Sequence, residues 1–246
     1  MQRVVTLYRS TVGKKVLMAA SGILLFGFVL AHMSGNLKML QGCHVATEAE
    51  SAVGLSVPGQ VCAMDGYAEF LREVGYPLVP HGGVLWLARF VLLGAVALHI
   101  VSAFQLAQRS RAARPAGYKK QESLSFSYAS RTMRWGGVIL LLFIVYHLLH
   151  LTTGQAHSDF VAGGVYRNFV VAFQNPLVLG FYVLAQAALC LHLYHGVWSV
   201  FQTLGANHPK HNHLRRPFAA AYSLVVFLGF LTPPVMVALG VISLPG

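Results

Sequence analysis

Four histidines lie inside long apolar stretches of this chain, one in each of the first four stretches. They are His32, His99, His147 and His195. An imidazole is costly to bury in hydrocarbon without a partner, so a histidine inside a membrane-spanning segment is a candidate functional residue. Four such residues at related depths indicate a set of ligands rather than four unrelated hydrogen-bonding side chains.

The composition indicates an integral membrane protein. The chain has 246 residues, of which 56% are hydrophobic and 10% are charged, whereas soluble domains carry about 25% charged residues. A helix needs about 20 apolar residues to cross the hydrocarbon core. Five segments are long enough: residues 16–40, 82–107, 135–154, 175–205 and 218–244. The connections are short, so we predict one all-α membrane domain over residues 1–246.

The distribution of charge predicts how the chain is oriented. Of the 18 lysines and arginines, 14 lie before the first span or in the connections that follow the second and fourth spans. Six of the seven acidic residues lie in the other connections. Because basic loops stay in the cytoplasm, we predict a cytoplasmic amino terminus and an external carboxyl terminus. The net charge of +11 then reflects topology, and we expect no nucleic-acid partner.

With this orientation the four histidines fall into two layers. At helical rise, His32 lies about 24 Å and His147 about 18–24 Å from the cytoplasmic side, whereas His99 and His195 lie about 12–15 Å from it. Two imidazoles from different helices at one depth suit the two axial positions of a haem iron, and a four-helix core can hold such cofactors. A structural zinc ion would require four ligands.

Two further histidines compete for the same positions. His150 and His192 each lie three residues from a proposed ligand and therefore on nearly the same helix face. Depth favours His195 over His192. Depth does not decide whether His147 or His150 is the ligand of the third span.

At these residues the chain resembles a known family of membrane proteins. The segments are VLAHMSGN, ALHI, HLLHLTTG and HLYHGVWSVFQTLG. They resemble the cytochrome b subunits of succinate dehydrogenases and fumarate reductases, of the single-chain, five-helix, di-haem type, over nearly the whole length. The resemblance implies two b haems. His32 and His147 would bind the outer haem, and His99 and His195 the inner one.

The resemblance also implies partners and a place in the cell. Members of this family anchor a flavoprotein subunit and an iron–sulfur subunit on the cytoplasmic membrane and exchange electrons with a quinone, often menaquinone. The chain alone is expected not to oxidise succinate but to contribute a quinone site, and the complex could form a higher oligomer. One departure is Leu193, which stands where some relatives have a glutamate used for proton movement.

Other residues are candidates for binding the haem propionates and quinone. Arg131 and Arg134 enter the third span and could bind a propionate, since arginine binds carboxylates in a bidentate way. In the resemblance Glu73 matches an acid that serves quinone chemistry, with Glu69 and His81 as nearby substitutes. A cytoplasmic-side quinone site near Ser21 and Trp135 is the alternative.

The first external connection contains two more features. Residues 65–75 place apolar side chains at helical spacing, which predicts a short amphipathic helix on the outer surface. Cys43 and Cys62 share this connection, where oxidising conditions would permit a disulfide; the sequence leaves their pairing open.

Two other functions remain open at this point. The chain could be the cytochrome b subunit of a formate dehydrogenase or a hydrogenase, which also binds haem through intramembrane histidines. It could also be a small transporter that relays protons through histidine. A proton-coupled transporter would be expected to have carboxylates inside its spans, and these five spans contain no Asp or Glu.

Overall fold

The structure, a computed structural model, describes residues 10–47, 59–113, 128–206 and 208–244. These parts of the chain form seven α-helices and one two-stranded sheet. The elements in order are α1 (Thr11–Asn36), β1 (Cys43–Val45), β2 (Gln60–Cys62), α2 (Ala63–Glu73), α3 (Gly83–Ala112), α4 (Tyr128–His147), α5 (Val165–Phe173), α6 (Pro176–Thr203) and α7 (Arg215–Ala238). Short helical turns follow α1 and α4 and precede α7, at Leu37–Gln41, Leu148–Thr152 and Asn212–Leu214.

Five of these helices, α1, α3, α4, α6 and α7, are long and apolar enough to cross a membrane. This confirms the prediction of five helices that could span a membrane, as in a multi-pass membrane protein. The first helix begins at Thr11 rather than at residue 16, because the Ser10 hydroxyl caps it by accepting a hydrogen bond from the Gly13 N–H at 2.9 Å. The last helix ends at Ala238 rather than at residue 244, shortly before Gly240 takes a positive φ of 73°.

Helices α1 and α6 each contact three of the other spanning helices. Helix α1 packs along α3 and also contacts α6 and α7, while α6 packs along α7 on one side and α4 on the other. The α1 and α7 helices are joined by Phe26 and Tyr222, whose rings stack at 3.9 Å. The Tyr222 hydroxyl also donates to the Phe26 carbonyl at 2.6 Å. These contacts fix the rotation of α1, the helix that contains His32.

The connection between α1 and α3 folds back over the end of α1. Strands β1 and β2 pair antiparallel with Cys43 opposite Cys62, and these two cysteines form a disulfide. Helix α2 follows and confirms the helix predicted in this connection. A Cβ atom on Gly35 would lie only 2.8 Å from the Tyr67 ring, so α2 packs tightly on α1 three residues beyond His32.

Helix α5 was not predicted from the sequence. It spans nine residues between α4 and α6, and it buries Tyr166, Phe169 and Phe173. The Asp65 carboxylate of α2 accepts a hydrogen bond from the Tyr166 N–H at 2.8 Å, which satisfies one of the free donors at the start of α5. Helices α2 and α5 are therefore tied together at the same end of the bundle.

Candidate functional site

The outer pair of histidines predicted from the sequence is brought together. His32 on α1 and His147 at the end of α4 have ring centroids 5.9 Å apart, with the ring planes at 76°. An imidazole nitrogen binds a first-row metal at about 2 Å and lies about 1.1 Å from its ring centroid, so two rings on opposite sides of one metal have centroids about 6 Å apart. The spacing of the His32 and His147 rings therefore fits two imidazoles that would bind the same metal ion.

The structure distinguishes His147 from His150 by the rings that each of them contacts. His147 lies against His32, whereas the His150 ring stacks on Tyr146 and on His157, each at 5.1 Å. His150 is buried within the π-helical turn that follows α4. The geometry therefore favours His147 as the partner of His32.

For the inner pair, two histidines of α6 are candidate partners of His99. His99 on α3 has its ring centroid 6.1 Å from that of His192 on α6, with the planes at 61°. His195, one turn further along α6, has its ring 5.8 Å from Trp198. His192 Nδ1 is buried and has no hydrogen-bond partner among the described residues. The structure thus adds His192 to His195 as a candidate partner of His99, and the assignment of His195 stays a prediction.

In each layer, one candidate ligand has its Nδ1 atom within hydrogen-bond distance of a neighbouring group, which leaves Nε2 as the atom that could bind a metal. His99 Nδ1 lies 3.2 Å from the Met18 carbonyl oxygen and 3.3 Å from Ser21 Oγ. A carbonyl only accepts, so Nδ1 holds the proton and Nε2 keeps its lone pair. His147 Nδ1 lies 3.3 Å from the Tyr182 hydroxyl. Metal-binding histidines usually donate their second ring N–H to such a group.

The metal-ligand candidates are pairs of histidines, and several glycines lie on the same spanning helices. In the described parts of the chain, no three His, Cys, Asp or Glu side chains come together as metal ligands, so histidine pairs are the candidate ligands there. Several glycines of the spanning helices have open space where a Cβ atom would lie. They are Gly27, Gly94, Gly136, Gly137, Gly180 and Gly196. At these positions a planar group could approach the helix backbone closely.

The basic candidates lie at the other end of the bundle from the disulfide. Arg134, near the start of α4, is exposed, and the side chain of Arg131 lies outside the described residues. Lys14 of α1 is buried and donates to the Gln105 side chain of α3, and Arg109 donates to the Thr11 hydroxyl at 3.2 Å. Binding of a propionate by Arg131 or Arg134 stays a prediction.

The candidate quinone residues lie on and after α2. Glu69 accepts hydrogen bonds from His81 and from Arg72, each at 3.0 Å. The hydrogen bond with His81 holds the pKa of Glu69 below its ordinary value, and Arg72 adds to the effect. Glu73 is the last residue of α2 and is exposed. Of the alternative pair, Ser21 is buried beside His99 and Trp135 is 74% exposed.

No protein-family model, curated protein or solved structure matches this chain. The function is therefore inferred from these residues and their arrangement.

Proposed function

We propose that this chain is the membrane-anchor cytochrome b subunit of a succinate:quinone oxidoreductase. It would carry electrons between a cytoplasmic flavoprotein and iron–sulfur pair and a membrane quinone through two b haems. The observation that carries the proposal is the pairing of His32 with His147 across helices α1 and α4, with ring centroids 5.9 Å apart. The resemblance of the histidine segments supplies the class of complex.

The chain has the residues that two haems would need. His32 and His147 would bind the outer iron, and His99 with His195 or His192 the inner one. Each bound iron would supply one-electron transfer. Attachment would be non-covalent, because the sequence contains no Cys-x-x-Cys-His segment. The Phe28 and Phe230 rings pack against His32, and the Phe143 ring packs against His147.

The two ends of the bundle support the proposed orientation. Lys14, Arg109 and Arg134 lie at the same end of α1, α3 and α4, and basic residues favour the cytoplasmic side. The disulfide-bonded hairpin lies at the opposite end, and disulfides persist in oxidising compartments outside the cytoplasm. This arrangement supports an outer His32 layer and a basic cytoplasmic face on which the two partner subunits would bind.

The proposal places quinone chemistry at the outer end. Electrons that cross both haems would then move against or with the membrane potential, at about 2.3 kcal/mol per charge per 100 mV. Glu69 is held ionised by its partners, so it is less suited to exchange a proton. Glu73 is exposed and forms no ion pair with a described residue, so we propose it as the carboxylate that exchanges the quinol proton.

Two other functions can be compared with the structure. A cytochrome b of a formate dehydrogenase or hydrogenase would use the same histidine pairs, so only its partner subunits distinguish it. A proton-coupled transporter is less consistent with α1, α3, α4, α6 and α7, which contain no Asp or Glu.

Purification of the tagged chain from its native membranes tests the proposal. We expect a flavoprotein and an iron–sulfur protein to copurify, together with succinate oxidation by an artificial acceptor. Copurification of a molybdenum or nickel enzyme would instead identify a formate dehydrogenase or hydrogenase. A chain that purifies alone, without haem, would contradict both electron-transfer functions.

A further inference from the structure

The hydroxyl of Tyr182 lies between two histidines of the neighbouring helix. It is 3.3 Å from His147 Nδ1 and 3.0 Å from His150 Nδ1. Tyr182 is only 6% exposed, and its ring meets the rings of Phe143 and Phe173 edge-on at 5.1 Å and 4.8 Å. The packing of the ring therefore fixes the position of the hydroxyl between the two imidazoles.

The local backbone brings both histidines to this hydroxyl. His147 is the last residue of α4, and His150 lies in the π-helical turn that continues it. This wider turn is closed by the Thr153 N–H, which bonds to the Leu148 carbonyl at 2.9 Å. Turns of this kind occur often at functional sites. Here the turn places one histidine toward His32 and the next toward Tyr182 and His157.

A tyrosine hydroxyl has a single proton, so Tyr182 can donate to at most one of the two imidazoles, and the directions follow from the ring tautomers. If Tyr182 donated to His147 Nδ1, the proton of that ring would lie on Nε2, which could then bind no metal. If His147 donates from Nδ1, its Nε2 keeps the lone pair that a metal needs. The Tyr182 hydroxyl then keeps its own proton for a hydrogen bond to His150 Nδ1, an arrangement in which the His150 proton lies on Nε2.

We propose that Tyr182 is a positioning residue for the outer haem, and that His150 supports it without binding iron. This inference rests on the proposed function. Tyr182 would accept the His147 Nδ1–H bond, fix the tautomer and rotation of that ring, and increase electron donation from Nε2 to the iron. The bond from Tyr182 to His150 polarises the hydroxyl and so strengthens the bond that it accepts.

The inner layer uses a different partner. His99 donates to the Met18 carbonyl, and that backbone acceptor cannot be removed by changing a side chain. Different acceptors therefore set the orientation and electron donation of the histidines in the two layers. A change at Tyr182 should act on the outer haem alone.

The test uses the full complex with Tyr182→Phe, and Tyr146→Phe as the matched control. Tyr146 packs against Tyr182 and His150, but its hydroxyl bonds to neither histidine. We expect Tyr182→Phe to keep two haems per chain and to shift the midpoint potential of the outer haem upward, since weaker electron donation destabilises the ferric iron. The low-spin ferric EPR signal of that haem should move as well. The inner haem and the Tyr146→Phe complex should match the wild type.

A second variant tests the same network independently. His150→Leu should keep both haems and shift the outer potential in the same direction, by less than Tyr182→Phe does. Loss of the outer haem from His150→Leu but not from His147→Leu would make His150 the ligand and overturn the inference. Unchanged outer potential and EPR signal in Tyr182→Phe would also overturn it, while two haems in the wild type would leave the proposed function intact. A wild-type chain without haem would overturn both.

Discussion

His32 and His147 bring their rings to within 5.9 Å of each other from helices α1 and α4, which share little other packing in the described parts of the chain. Phe28 stacks on the His32 ring at 5.3 Å, and Phe230 lies 5.7 Å from it. The two imidazoles thus meet in an aromatic, apolar setting. A pair of this kind is well suited to hold one metal ion between two helices.

Replacing His192 and His195 in turn tests which of them is the proposed inner haem ligand on α6. We expect His195→Leu to lose the inner haem and His192→Leu to keep it, because the depth of His195 matches that of His99 more closely. Haem per chain, measured after purification, distinguishes the two variants. Exposed His208, replaced by Leu, is the control. Loss from His192→Leu alone would show that the 6.1 Å ring contact with His99 identifies the ligand.

Glu73 is expected to serve quinone turnover without contributing to haem binding. Glu73→Gln keeps the size of the side chain but removes its capacity to exchange a proton. Quinone turnover should fall strongly, while both haems stay bound and succinate oxidation by an artificial acceptor continues. Glu69→Gln is the matched comparison on the same helix. Normal quinone turnover in Glu73→Gln would direct the search to Glu69, to His81 or to the cytoplasmic side near Ser21.

Asp65 is expected to stabilise the packing of α5 through the hydrogen bond from the Tyr166 N–H. Loss of a side-chain cap costs about 0.5–2 kcal/mol, so Asp65→Ala should lower the free energy of unfolding by that amount. Asp65→Asn keeps an acceptor oxygen, so its free energy of unfolding should fall much less. Unfolding of both variants in detergent measures the difference. Equal stability of the wild type and Asp65→Ala would show that the cap contributes nothing.

The hydrogen bond between Glu69 and His81 predicts a pH dependence of stability at the end of the bundle that contains the disulfide. Because the pKa of Glu69 is lowered in the folded chain, its stabilisation is present above the ordinary pKa of a glutamate and is lost as the pH falls through the lowered value. The contribution is small, since Glu69 is 47% exposed. His81→Gln should raise the pKa of Glu69 in a carboxyl NMR titration. If Glu69 had the same pKa in the wild type and in His81→Gln, His81 would not be the cause of the lowered value.

The sequence was sufficient for the spanning helices because their length and apolar character follow directly from the width of a bilayer. Helix α5 was missed, since nine residues between a pair of glycines and the Asn175-Pro176 segment give no such signal. Its stability comes from burial of Tyr166 and Phe169 and from Asp65, which is distant in sequence. Contacts of this kind depend on tertiary packing.

The histidine pairs show the same limit. Depth along a helix follows from residue number, so the two layers could be predicted. Which of two histidines three residues apart faces the partner helix depends on helix rotation, which packing such as that of Phe143 of α4 on Tyr182 of α6 determines. The contact of Tyr182 with His147 and His150 was also missed, because a tyrosine in an apolar span has no pattern that identifies its partner.

The most direct test of the account is the haem content of the purified full-length chain. A reduced-minus-oxidised absorbance spectrum and an extracted-haem assay give the type of haem and the number per polypeptide. The account predicts two b-type haems in the wild type, and one in His32→Leu or His147→Leu, with the inner haem retained. No haem in the wild type, or two haems still bound when both His32 and His147 are replaced, would contradict it.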